Sequence, residues 1–475
     1  MRLGFRIATT RFDPPPPPPS LLHSCIRSKL HSSISSSFSS EQVSNCNEFL
    51  PWLQKKSGME ISSILYIGNS IYGRSLFASK FVQYGDCILK VPFDVQLTPE
   101  NVLPEIRILL DDNVGHIARL AMVLLVEQKL GQESEWYPYM SNLPRKGELH
   151  CPVFWSKKEL EMVQPGSVYK ETIDQHTQIE KEYLAIRPVL DRFPHFFEEV
   201  TFEDYIHACA VVGSRAWSSS KGLSLIPFAD FLNHDGDSDA ILLGDEHKQV
   251  SEVIAGREYA PGEQVLIRYG KFPNSTLLMD FGFTISCNRY DQVQIWVNVL
   301  EHDPLRVIKL DVLAKHHMPT IIGTNGVDSY GSYFVIKEVR SSRRNGKGIP
   351  QSLRAFGRVL SAVSPQEVKD MEIEAAANDG RLARRPLKNT TREIEAHELL
   401  HSQILHLIQE YDASLKNLAP VNLPSIDRQL AYRRRMAHDL LSGELRVLNS
   451  ANAWLTNYCA TLSRGKTHTL ESHVS

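Results

Sequence analysis

Leu225-Ile226-Pro227-Phe228-Ala229-Asp230-Phe231-Leu232-Asn233-His234 is an apolar run that stops abruptly at an Asn-His pair. Further on, a glycine turn opens a second strand-like run, Gly262-Glu263-Gln264-Val265-Leu266-Ile267-Arg268-Tyr269, and Asp280-Phe281-Gly282-Phe283 follows it. An Asn side chain offers both donors and an acceptor, which suits a ligand carrying both ammonium and carboxylate groups. In isolation an Asn-His pair marks a turn or a helix cap. A tyrosine at a strand end is ordinarily a packing residue. The order of the three segments is what raises them above these plain readings.

Upstream, residues 61–67, 73–78 and 87–92 read as short β-branched strands separated by turns. From about residue 100 to 210 the period changes. Ile117, Leu120, Ala121, Leu124 and Leu125 fit one helical face, as do Ile179, Tyr183 and Ile186 ahead of Pro188. Strand-like segments return after Gly222 and run to about residue 300. The basic stretch 340–348 reads as an exposed loop. The last third carries two helical stripes, Ile394 to Leu415 and Leu430 to Tyr458, which are packing faces.

A chain of 475 residues exceeds one compact core, so two or three domains are expected. A net charge of −3 argues against nucleic-acid binding driven by overall charge, and no apolar run is long enough for a membrane span. The seven cysteines are scattered singly with no C-x-x-C pair, which disfavours a structural zinc site or a disulfide framework. Residues 1–45 are set apart. They carry Arg2, Arg6, Arg11, Arg27 and Lys29 against one acid, Asp13, up to residue 40, and are rich in serine. That composition is that of an organellar transit peptide, with a disordered tail as the plain alternative.

The order Asn233-His234, Tyr269-Gly270, Asp280-Phe281-Gly282-Phe283 resembles the carboxyl half of the SET domain, the fold of most protein-lysine methyltransferases. The match is closest to the family typified by the Rubisco large-subunit lysine methyltransferase. The resemblance implies an α+β fold: a SET β core of short sheets over residues 46–300, split by a helical insert at about 100–210. An all-α substrate-binding domain would follow over 301–475. It also implies that the Ile-Pro-Phe-Ala-Asp-Phe-Leu segment threads a knot-like crossing, a rarity that composition alone cannot show.

For the site, the resemblance implies S-adenosylmethionine as methyl donor and no metal. Gly73, Arg74 and Ser75 align with the family's Gly-x-Gly-Leu turn, with Ser75 in place of the second glycine. Arg215, Asn233, His234 and Phe281 join them as donor-binding residues. Arg215, Asp230 and Tyr269 would contact the substrate, and Tyr269 is the catalytic candidate. Phe281 stands where the family often has a second tyrosine. The expected partner is a protein carrying the target lysine, met by a monomer in the chloroplast stroma, with the mitochondrion second. Histidine methylation and an inactive SET scaffold that binds a partner are the alternatives. Asp235, Asp237, Asp239 and Glu246 mimic calcium-loop spacing, but Ala240 replaces the glycine such a loop needs, so a solvated acidic loop is expected.

Overall fold

The structure is a computed structural model that describes residues 8–9, 40–70, 73–110, 114–219, 222–315, 331–340, 348–377, 386–418 and 428–471. The transit-peptide expectation therefore falls mostly outside the described residues. Within its span, Ala8–Thr9 pairs in parallel with Trp217–Ser218, and the helix Ser40–Ser57 begins before residue 46. That helix belongs to the fold, because Phe49 and Leu53 are fully buried in the first of two cores.

The first core is built on short sheets. Leu65–Ser70 and Gly73–Ala78 form an antiparallel hairpin, and Cys87–Pro92 pairs with Val250–Ile254, which pairs in turn with Leu242–Asp245. The 262–269 run is a strand only at Leu266–Ile267, which lies parallel to Asn233–His234. A bridge between Phe77 and Gln264, with Val265 N–H donating to the Leu76 carbonyl, lays this run against the hairpin. The segments carrying Ser75, Asn233 and Tyr269 are thus brought side by side by backbone hydrogen bonds.

Helices cover this core. His116–Leu130 buries Leu120, Ala121, Leu124 and Leu125, the face read from the sequence. It packs against Phe202–Arg215, whose start is fixed by a capping box between Thr201 and Asp204. The helix Ser167–Arg192 does not end before Pro188 but runs through it. Proline removes one backbone donor and strains the preceding turn; the buried Val189 and Leu190 beyond it hold the last turn to the core.

The second core takes Leu278, Met279 and Val293 to Val299 from the segment assigned by sequence to the SET half, and Trp155, Val163 and Val168 from the insert. Its main elements are the helices Gln351–Leu360, Thr390–Asn417 and Arg428–Glu471. The two predicted stripes are their inner faces: Leu400, Ile404 and Tyr411 on one, Met436, Leu440, Leu448 and Leu455 on the other. The carboxyl-terminal region is helical but not purely so. Gly331–Lys337 pairs antiparallel with Gln292–Asn298, presenting Phe334 and Ile336 inward beside Val293, Ile295 and Val297. The alternation of inward and outward side chains there is the period-2 signal of a strand. Among the described residues, no helix is long and apolar enough to cross a membrane.

Candidate active site

The helix Phe202–Arg215 ends by aiming Arg215 at the carbonyl end of the Ala229–Phe231 turn. Arg215 Nη1 donates to the Asp230 carbonyl at 2.8 Å and stands 3.4 Å from its carboxylate Oδ2. The turn is entered through Phe228, whose φ of 73° is a costly conformation for an aromatic residue. Tyr139, from the insert, donates to the same Oδ2 at 2.8 Å. Burial pushes the Asp230 carboxyl up from its ordinary value, against the pull of Arg215 and Tyr139. Two buried atoms here have no protein partner: Arg215 Nε, a donor, and Asp230 Oδ1, an acceptor.

Tyr269 follows the Leu266–Ile267 strand. Its hydroxyl donates to the Leu232 carbonyl at 2.6 Å, and its backbone N–H donates to His234 Nδ1 at 3.0 Å. The second bond requires Nδ1 to be unprotonated. Burial keeps the imidazole neutral by lowering the His234 pKa to about 4, and the bond from Tyr269 selects the tautomer with its proton on Nε2. Burial also raises the Tyr269 hydroxyl, so it stays protonated at neutral pH. Around the Tyr269 ring stand Trp217, edge-on at 5.7 Å, His234 at 5.1 Å and Phe281 at 5.1 Å.

Phe281 is placed by a single turn of π-helix, Leu277–Phe281, closed by Gly282 in the left-handed region. A side chain at Gly282 would also meet the Cys151 backbone nitrogen at 2.9 Å, so the turn admits only glycine. π-turns of this kind re-aim a side chain out of helical register.

A narrow cavity lies among these groups, lined by Ser214, Arg215, Ala216, Trp217, Asp230, Leu232, Tyr269 and Phe281. Four residues read from the sequence, Arg215, Asp230, Tyr269 and Phe281, are thus gathered around one space although they are far apart in the chain. Asn233 and His234 lie on the adjoining strand pair. Ser75 reaches them through its hydroxyl, which accepts from Asn233 Nδ2 at 3.1 Å. Gly73 sits at the hairpin end with φ of 91° and open space where a side chain would be. Arg74 reaches elsewhere, donating to Asn142 Oδ1 at 2.9 Å and lying over the Phe231 ring.

The acidic loop is tied to arginines: Asp237 to Arg289 at 3.1 Å and Asp239 to Arg268 at 3.7 Å. Sequence reasoning missed Tyr139 and Gln264. Tyr139 lies outside every motif and Gln264 sits in the 262–269 run with no role of its own there; only folding brings Tyr139 to Asp230 and Gln264 to Ser75.

Two family models match the chain: a SET domain over residues 73–270 and a Rubisco LSMT substrate-binding domain over residues 301–448. The chloroplastic [fructose-bisphosphate aldolase]-lysine N-methyltransferase of Arabidopsis thaliana is 27% identical over 60% of this chain and 61% of its own length. The actin-histidine N-methyltransferase of Homo sapiens is 27% identical over 58% of this chain and 48% of its own. The chain thus spans about half to three fifths of the length of these curated relatives. Among solved structures, Rubisco LSMT bound to AdoMet superposes with a TM-score of 0.68 at 20% identity, covering 88% of this chain and 93% of that one. The SET domain of LSMT bound to lysine and AdoHcy gives 0.69 at 20% identity, over 89% and 93%. With a SET domain, a following Rubisco LSMT substrate-binding domain and the matching fold over nine tenths of its length, the chain belongs to the Rubisco LSMT-like family of SET-domain proteins.

Proposed function

We propose that this chain is an S-adenosylmethionine-dependent protein N-methyltransferase whose acceptor is a lysine side chain. The observation that carries the reading is the cavity between Asp230, Tyr269 and Phe281. Asp230, whose buried Oδ1 has no protein partner, lines that space together with the rings of Trp217, Tyr269 and Phe281. An unsatisfied buried acceptor is costly unless a ligand meets it. An ammonium group would meet Asp230 Oδ1, and the rings of Trp217, Tyr269 and Phe281 favour a cation at close range.

The residues present also fit the methyl donor. The bare turn at Gly73, the carboxamide of Asn233 and the unpartnered Arg215 Nε offer close backbone approach, paired donor and acceptor, and a cationic donor for a carboxylate. When bound, this group supplies a methyl already activated on a sulfonium. The protein's own work is placement. Tyr269, kept protonated and pinned to Leu232, presents a fixed dipole, and positioning within about 3–3.5 Å supplies much of the acceleration. The acceptor amine must lose its proton before reaction, since its free pKa is about 10.4.

The actin-histidine relatives motivate one second reading, transfer to imidazole. Radiolabelled donor with plastid or cell extract, followed by acid hydrolysis of the labelled protein, separates the two. Methyllysine is expected; methylhistidine in its place overturns the acceptor assignment. No transfer and no donor binding by folded protein would leave the partner-binding scaffold. We place the protein in the chloroplast on the composition of residues 1–40 and the chloroplastic aldolase-modifying relative. A fluorescent fusion that stays in the cytosol would overturn that placement.

A further inference from the structure

Ser75 is fully buried in the Gly73–Ala78 strand, opposite Gly68 in the hairpin register. Its hydroxyl oxygen accepts from two amide side chains on separate segments, Asn233 Nδ2 at 3.1 Å and Gln264 Nε2. A serine oxygen has two acceptor sites, so both are taken. A carboxamide left to itself turns about its last bond with a broad, roughly two-fold preference. Here the Asn233 nitrogen is held toward Ser75, which turns its oxygen the other way. Gln264 is itself fixed by the bridge to Phe77, so one oxygen joins the hairpin, the Asn233 strand and the run leading to Tyr269.

We propose that Ser75 is a positioning residue: its hydroxyl sets the orientation of the Asn233 carboxamide and, through it, the affinity for the methyl donor. This rests on the donor site proposed above. It also gives the serine at this place in the turn a use that a glycine lacks. A glycine gives the backbone close approach, whereas the serine side chain points inward and organises the amide that the ligand meets.

The test is calorimetric titration of the full chain with S-adenosylmethionine and with S-adenosylhomocysteine. Wild type, Ser75→Ala, Ser75→Gly, Asn233→Ala and the Ser75→Ala/Asn233→Ala double variant are compared. Affinities too weak for calorimetry are read from the unfolding-midpoint shift in millimolar ligand. Loss of the shared acceptor is expected to weaken binding about tenfold in both Ser75 variants. In the Asn233→Ala background the same change is expected to have no further effect, because the group it orients is gone. Wild-type affinity in Ser75→Ala or Ser75→Gly overturns the proposal. Equal losses in both backgrounds overturn it too, since they assign Ser75 a role in the fold alone. Absence of donor binding in folded wild type removes the donor site itself, and this proposal with it.

Discussion

Two arginine–carboxylate pairs, one in each core, differ in how completely they are closed. In the helical region Arg358 and Glu393 are both fully buried. Arg358 Nε and Nη2 grip the two carboxylate oxygens at 2.7 and 2.6 Å, and Tyr458 and the Leu387 N–H complete the acceptor sites. In the SET half Arg215 offers Asp230 a single nitrogen at 3.4 Å, and one atom on each side, Arg215 Nε and Asp230 Oδ1, is left without a protein partner. A closed pair holds helices together; the open one lines a cavity and keeps two buried polar atoms without protein partners. The fully paired group is architecture, and the half-paired group lines the cavity in which we propose that the acceptor binds.

The contrast has consequences of decreasing size. Glu393→Ala takes from the buried Arg358 the carboxylate that grips it and is expected to cost about 3–5 kcal/mol of stability by denaturant unfolding. A loss under about 1 kcal/mol would mean the pair does not hold the helices. Tyr269→Phe removes only the hydroxyl bonded to Leu232. It is expected to lower turnover by about 10²-fold with the unfolding midpoint nearly unchanged; activity within threefold of wild type would deny Tyr269 its role. Asp230→Asn keeps the shape of the open pair and is expected to cost only about 1 kcal/mol of stability while lowering kcat/KM about tenfold. Should its stability loss match that of Glu393→Ala, the distinction between open and closed pairs collapses.

The smallest effect concerns pH. His234 titrates near 4 in the folded protein because it is buried, below the ordinary value of about 6.5. Protonation therefore favours the unfolded chain, and the stability this histidine contributes is lost as pH falls from about 6.5 towards 4. Glu444, fully enclosed beside Tyr411 in the helical region, has the opposite sign. Burial raises it to about 8, so the fold loses stability as pH rises from the ordinary carboxyl range towards that value. Glu444→Gln is accordingly expected to raise the unfolding midpoint about 3 °C more at pH 8 than at pH 5. An equal shift at both pH values would show that Glu444 ionises freely.

Much of the helical framework could be read along the chain. The stripes that bury Leu400, Ile404, Leu440 and Leu448 repeat every three to four residues, and the Leu120–Leu125 face does the same. Local periodicity needs no knowledge of the partner surface. The strands are less legible: Leu266–Ile267 is too short for a period-2 signal, and Gly331–Lys337 has its pairing partner, Gln292–Asn298, far away in the chain. The division between cores also differs from the motif boundaries, because Leu278, Met279 and Val293 side with the helices that cover them.

Written along the chain are the residue types and their order: an apolar run ending in Asn233-His234, a tyrosine closing a strand, and an Asp-Phe-Gly-Phe turn. So are the amphipathic faces, since each lies within one element. It takes the packed fold to make Tyr139 share Asp230 with Arg215, to leave Asp230 Oδ1 and Arg215 Nε without protein partners, and to set Ser75 against Asn233. These pairings join residues 15 to 158 positions apart, and a hydrogen bond's 3 Å reach is settled only when packing and backbone pairing have fixed both ends.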